Sequence, residues 1–272
     1  MFATKFFSPL TVALLIATAC GGSAAPAASS GAPTAAGTAA ASPSAGTKPT
    51  DSFGGSSVKL ADGSLSALPT LPLYINVLDV PQQPNAPLQH AHIAGFVYAL
   101  NGVHRLAIQG GDTKDLSPGA AAFTPQDAVH THSNPGTTAN EWYFVALRNT
   151  NARTAAPTFP GQTTLYESSD LPANALPAGK YVEQLNLVVL DKGGRTASHK
   201  HGGVEVVVVL DRTMQLRVAG QQSQTLTKGK GAVVLPNTIL QATNMGDGQA
   251  KFLAFFVTQE GVDFSTNVDT LP

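Results

Sequence analysis

The segment Gly119-Ala120-Ala121-Ala122-Phe123-Thr124-Pro125-Gln126-Asp127-Ala128-Val129-His130-Thr131-His132-Ser133-Asn134 is the part of the chain on which the fold turns. A glycine opens it, a short apolar run follows, Pro125 and Asp127 mark a turn, and two histidines stand one residue apart before an asparagine. Short runs cut by Gly, Pro, Asn and Asp are the punctuation of strands and turns. Residues two apart in a strand share a face, so His130 and His132 send both imidazoles to one side. The same punctuation recurs as Gly231, Pro236 and Asn244, roughly a hundred residues on, which marks an internal repeat.

Outward from that segment, short stretches rich in Val, Leu, Phe and Tyr alternate with turns. Strands are predicted over Leu73–Val80, Gly95–Leu100, His104–Ile108, Ala120–Thr124 and Glu141–Leu147. A second series covers Gln184–Leu190, Val204–Leu210, Met214–Val218, Ala232–Leu235 and Lys251–Thr258. No stretch sustains a helical period. The fold class is therefore all-β, two tandem barrels of one kind, with the Pro-, Thr- and Ala-rich stretch from Asn149 to Ala178 as connector. Val204–Leu210 and Phe252–Val257 are apolar on both faces, which requires cover on both sides. Barrel-on-barrel packing through Val206, Val208 and Phe255 is the expected cover, and a homodimer is the alternative.

Six of the seven histidines form three pairs: His90 with His92, His130 with His132, and His199 with His201. Imidazole is the commonest transition-metal ligand. His104 follows the turn Asn101-Gly102 and reads as an ordinary turn-flanking residue. Phe96, Tyr98, Phe123, Trp142 and Tyr143 read as mostly core, with Trp142 or Tyr143 a candidate for lining a pocket.

These pairs sit in a wider pattern that resembles the cupin superfamily. Its first motif joins a glycine, a His-x-His pair, a glutamate and a closing glycine; its second joins a glycine, a proline, a glycine, a histidine and an asparagine. The resemblance implies two double-stranded β-helix, or jelly-roll, barrels, one over 58–150 and one, with the connector, over 151–272. Gly119–Asn134 fits the second motif, with Asp127 in place of the inner glycine. His90 and His92 supply the first-motif pair and Gly102 its closing turn, but no glutamate stands between them. Carried over, the first barrel has His90, His92 and His130, with His132 or Glu141 as candidates for a fourth ligand.

In the second barrel Gly193, His199, His201 and Glu205 follow the first motif, and Asp211 and Arg212 stand where the closing glycine would be. Gly231, Pro236 and Asn244 keep the second motif, with Gln241 at the histidine position. The set His199, His201, Glu205 and Gln241 is similar to the manganese site of ureidoglycine aminohydrolase-like cupins. Mixed nitrogen and oxygen donors suit a divalent transition metal, Mn, Fe, Zn or Ni. Because Glu205 partly offsets a dication, the second barrel is expected to hold the tighter and more competent site.

The N-terminus reads differently. Residues 1–20 carry one lysine, Lys5, and an apolar run from Leu10 to Ala17, which suits a cleaved export signal. Ala17-Thr18-Ala19-Cys20 resembles the lipobox of bacterial lipoproteins, whose cysteine is lipidated. Cys20 is the only cysteine, so no intrachain disulfide supports the fold. Residues 21–57, almost wholly Ala, Gly, Ser, Thr and Pro, are expected to be a disordered tether. From these features the chain is expected in the bacterial cell envelope, lipid-anchored on the outer face of the cytoplasmic membrane or in the periplasm.

A net charge of −1 with scattered basic residues excludes an electrostatic nucleic-acid partner. The resemblance implies a metal-binding double cupin acting on a small oxygen-rich molecule, by quercetin dioxygenase-like oxidation, oxalate cleavage or Lewis-acid chemistry. The alternative is a non-catalytic cupin lipoprotein that binds a sugar, a metabolite or a metal.

Overall fold

The structure, a computed structural model, describes residues 53–269. The segment read as an export signal, Cys20 and residues 21–52 of the expected tether lie outside the described residues. In chain order the first strands are β1 (Phe53–Leu65), β2 (Leu73–Gln82), β3 (Leu88–His90), β4 (Gly95–Asn101), β5 (His104–Ile108), β6 (Thr113–Leu116), β7 (Ala121–Thr124), β8 (His130–Ser133), β9 (Asn140–Asn149) and β10 (Thr163–Glu167). Then come β11 (Tyr181–Arg195), β12 (His199–His201), β13 (Val204–Asp211), β14 (Thr213–Val218), β15 (Gln224–Thr227), β16 (Gly231–Val234), β17 (Ile239–Asn244), β18 (Ala250–Gln259) and β19 (Ser265–Asn267). The only helix among the described residues is a short 3-10 turn at Thr150–Thr154.

Two jelly-roll barrels result. In the first, a sheet ordered β10-β2-β9-β4-β7 faces a second sheet ordered β3-β8-β5-β6. In the second, the path β15-β14-β17-β11-β18-β13-β16 folds back on itself, and the Arg195–Thr243 pairing joins its two faces. The repeat is exact in register along the central strands. Phe96 opposes Val145 as Val206 opposes Phe255.

Three apolar cores follow from strand alternation. Along β13, Val207 and Val209 point into the second barrel, whereas Val204, Val206, Val208 and Leu210 point out of it. Along β9, Trp142, Phe144 and Ala146 fill the first barrel, and Tyr143, Val145 and Leu147 face outward. The two outward faces meet in one shared core, where Phe96 and Phe255 pack edge to face at 5.9 Å. Continuous apolar runs are thus two faces serving two cores. Within the shared core, Glu183 of β11 is fully buried, and neither carboxyl oxygen has a hydrogen-bond partner.

Two boundaries differ from expectation. Residues 53–57 are not tether: they open β1, which runs antiparallel along β11 from Phe53–Arg195 to Leu65–Tyr181 and so completes the sheet of the second barrel. The connector is not featureless either, because its β10 pairs with β2 of the first barrel. Each barrel thereby carries an edge strand from outside its own run of sequence. Backbone pairing needs no apolar composition, so a Gly- and Ser-rich stretch fills such an edge as readily as a Val-rich one. The connector also sends Phe159 into the first barrel's core, held in a turn by Gln162, whose Oε1 accepts from the Phe159 N–H at 2.8 Å.

Candidate metal centres

In the first barrel, β3 supplies His90, the loop after it His92, and β8 both His130 and His132. The β3–β8 ladder pairs His90 with His130 and Leu88 with His132. One nitrogen from each of the four rings lies within 4.8 Å of all the others. His132 therefore joins the three ligands taken from motif resemblance. Glu141, the other candidate, does not: its side chain hydrogen-bonds Asp79 on the outward face of β9.

Backbone carbonyls orient two of these rings. His92 Nδ1 lies 2.6 Å from Ile93 O, and His130 Nδ1 lies 2.7 Å from Ala128 O. A carbonyl only accepts, so each Nδ1 carries the proton and each Nε2 presents a lone pair. Those two Nε2 atoms are 3.0 Å apart. Lone pair against lone pair is repulsive unless a proton or a cation lies between them. Two bonds of about 2.1 Å to one cation at a right angle hold their nitrogens about 3 Å apart, so the spacing suits a bound ion. Both nitrogens of His90, and Nε2 of His132, are buried without a partner.

Burial lowers the basicity of every ring. It brings His92 down to about 3 and His90 down to about 4, with the neighbouring His130 adding to the effect on each, and it holds His132 well below its ordinary value. All are neutral at physiological pH, the form that ligates. Within register, Gly95 stands where the second barrel has Glu205, because Gly95 opposes Thr124 as Glu205 opposes Val234. A Cβ at Gly95 would lie 2.7 Å from the Phe144 ring and from Val145 O. The first barrel has thus filled its carboxylate position with an aromatic ring.

In the second barrel, His199 and His201 of β12 and Glu205 of β13 converge, again within 4.8 Å. His199 Nδ1 bonds Ala197 O and His201 Nδ1 bonds Phe264 O, each at 2.8 Å, leaving both Nε2 atoms as lone pairs. His201 Nε2 and Glu205 Oε2 are 3.5 Å apart, too far for a good hydrogen bond, and each is buried without a partner. Burial raises the Glu205 carboxyl to about 8 and lowers His201 to about 3. Two histidines and a carboxylate are a donor set that suits iron and leaves coordination positions open.

Gln241 is not part of it. Along β17, Leu240 and Ala242 face the interior, whereas Gln241 faces away and donates to Thr196 O at 3.1 Å. The ladder explains the misplacement. Asn134 and Asn244 do the same work at the ends of β8 and β17: each bonds backbone carbonyls through Nδ2 and accepts a glycine N–H through Oδ1. Counting back four residues gives His130 in one barrel and Leu240 in the other. A leucine occupies the fourth position.

Access also separates the centres. The three ligands of the second are all buried around a cavity of about 30 Å³ walled by Leu216, Phe252 and Phe256, little more than the room of a water molecule. In the first, His90 and His92 are half-buried. Beside it lies a cavity of about 290 Å³ lined by Leu88, Trp142 and Phe159, among others. Phe159 packs 5.1 Å from the His90 ring and 5.4 Å from that of His132, and so forms the wall between cavity and centre. Trp142 lines this pocket as expected, while Tyr143 turns to the shared core.

Sequence reasoning missed His104. It is fully buried, and its Nε2 lies 3.0 Å from His132 Nδ1. The available signal was its even offset from the inward-facing Leu106.

Comparison with known proteins agrees with this architecture. Residues 78–146, from β2 into β9, match the family model of the cupin domain. The matched residues lie in the first of the two jelly-roll barrels. Oxalate decarboxylase of Bacillus subtilis is similar in structure, with a TM-score of 0.52 and 14% identity over 79% of this chain and 82% of that one. Tomato (Solanum lycopersicum) vicilin matches with a TM-score of 0.49 and 11% identity over 71% and 77% of the two chains. A salicylate 1,2-dioxygenase from Pseudaminobacter salicylatoxidans matches with a TM-score of 0.44 and 16% identity over 68% and 70%. No curated protein sequence matches this one.

Proposed function

We propose that this chain is an exported, lipid-anchored metalloprotein whose first barrel holds a divalent transition metal, Mn, Fe, Zn or Ni, and offers it to a small oxygen-rich molecule. The observation that carries this reading is the 3.0 Å approach of His92 Nε2 to His130 Nε2 with both Nδ1 protons committed to carbonyls. His90, His92, His130 and His132 would hold the ion, and bound there it would polarise an oxygen of the substrate as a Lewis acid. The rings themselves stay neutral, and four neutral donors leave the ion's charge uncompensated, which favours an anionic oxygen as the incoming group. The cavity at Leu88 and Trp142 supplies the approach, with Phe159 as the wall to be displaced. This reverses the expected ranking of the barrels. The second centre has the carboxylate, but the cavity at its three buried ligands is smaller, about 30 Å³.

Metal content, measured after dialysis against a chelator, tests the assignment in the intact protein, His130→Ala and Glu205→Ala. His130→Ala should lose the first ion and Glu205→Ala the second; unchanged content in His130→Ala would overturn the reading. Oxygen uptake and carbon dioxide release with oxalate, flavonols and simple diketones then test for catalysis. Oxalate is included because the B. subtilis enzyme with Mn(II) centres shares the fold.

A non-catalytic binding protein is the second reading. One feature favours it: no Asp or Glu among the described residues joins the four histidines to move a proton. Export and anchoring rest on Cys20 and are tested by labelling with a fatty-acid analogue. Label should enter the wild type and be absent from Cys20→Ser.

A further inference from the structure

We infer that His104 is a positioning residue of the four-histidine centre, accepting the Nδ1 proton of His132 and thereby turning the His132 Nε2 lone pair toward His90, His92 and His130. The inference rests on the metal reading of that centre and adds a fifth histidine to it.

The plane of the His132 ring is held by its neighbours. The Trp142 ring lies parallel to it, 5° off at 4.6 Å, and the Phe159 ring meets it edge-on. Its backbone oxygen accepts from Gln82 Nε2 at 3.0 Å. With the ring held, what remains free is where its proton sits. His104 and His132 are each fully buried, so each is neutral and carries one ring proton. One proton lies in the 3.0 Å contact between His104 Nε2 and His132 Nδ1.

Two arrangements satisfy that contact. If His104 donates, the other proton of the pair sits on His132 Nε2, aimed at three imidazoles, and His132 is lost as a ligand. If His132 donates, its Nε2 becomes a lone pair and the centre has four nitrogens. Neither arrangement is fully satisfied by protein alone, because His104 Nδ1 and His132 Nε2 both lack partners. A cation at His132 Nε2 breaks the tie. It draws charge from the ring, makes Nδ1–H a stronger donor and tightens its bond to His104, the outer-shell arrangement that fixes metal-binding histidines elsewhere.

The test uses the intact chain and zinc. Zinc affinity is read by competition with a chromophoric chelator, and the first centre's share is the binding lost in His130→Ala. His104→Phe keeps a ring but removes the acceptor, and should weaken that share by about 10- to 100-fold. His104→Gln restores an acceptor through its amide oxygen and should recover most of the affinity. Equal affinity in His104→Phe and wild type would overturn the inference while leaving the metal reading intact. Absence of zinc binding in the wild type would overturn both. Should His104→Phe fail to fold, long-range proton–nitrogen correlation spectra of the zinc-loaded wild type decide. A proton on Nδ1 of His132 supports the inference, and a proton on Nε2 defeats it.

Discussion

At the level of single residues, one position separates the two centres. Leu240 sits where the first barrel has His130, and its side chain already faces the second barrel's interior. Leu240→His should therefore complete that site and slow metal loss to a chelator by at least about tenfold, since a direct ligand outweighs the outer-shell effects of that order. Gln241→Ala, on the outward face, should leave metal content unchanged. Elemental analysis of both variants distinguishes the two assignments directly. A second expectation concerns Trp142, the only tryptophan. Its ring lies 4.6 Å from that of His132, so an open-shell ion bound there should quench its emission. Adding Ni(II) should darken the wild type and leave His130→Ala bright, whereas equal quenching would place the ion elsewhere.

Among the elements, β11 carries an unusual cost. Glu183 shares its face with Tyr181 and Leu185 and opposes Gly63 and Val257, and the corresponding position of β2 holds Ile75. Burial raises its carboxyl from 4.5 to about 8. The folded chain thus keeps a proton that the unfolded chain releases, and the contribution of Glu183 to stability falls as pH rises from about 4.5 to about 8, as does that of Glu205, while the buried histidines act in the opposite sense below about 6.5. The slope is on the order of 1 kcal/mol per pH unit at its steepest. Glu183→Gln should flatten the dependence of the urea midpoint on pH and be the more stable protein near the upper end. An unchanged slope would mean that Glu183 does not cause it. The long apolar strands were legible in the sequence because runs such as Val204–Leu210 announce two covered faces, whereas the thirteen-residue β1, opening on Gly and Ser, was missed and its start read as tether. The shortest were missed as well: β3, β12 and β19 have three residues each and take their form from partners far along the chain. That is also why the site was only partly readable. The His-x-His pairs are local signals, whereas the role of His104 and the outward turn of Gln241 depend on register across a ladder.

For the whole molecule, the shared core and the exchanged edge strands make the barrels interdependent. A cut in the connector leaves β1 on the fragment that does not need it and bares β11's edge on the other. Fragments separated near Ala178 should aggregate singly and recover native-like spectra on mixing; two stable, non-associating monomers would contradict this. Phe255→Ala, which empties a position in the shared core, should cost about 3 to 5 kcal/mol and loosen both halves together. The reach of β1 also sets a clock. Its thirteen residues leave the ribosome before those of every other described strand, yet their partner strand begins only at Tyr181. At about 5 to 20 residues per second, the wait is on the order of ten seconds, during which a bare strand edge is open to any other chain. Manufacture and assembly therefore run in opposite order, and a holding chaperone that shields the newborn N-terminal strand would raise the yield of this protein more than one acting on the finished second barrel.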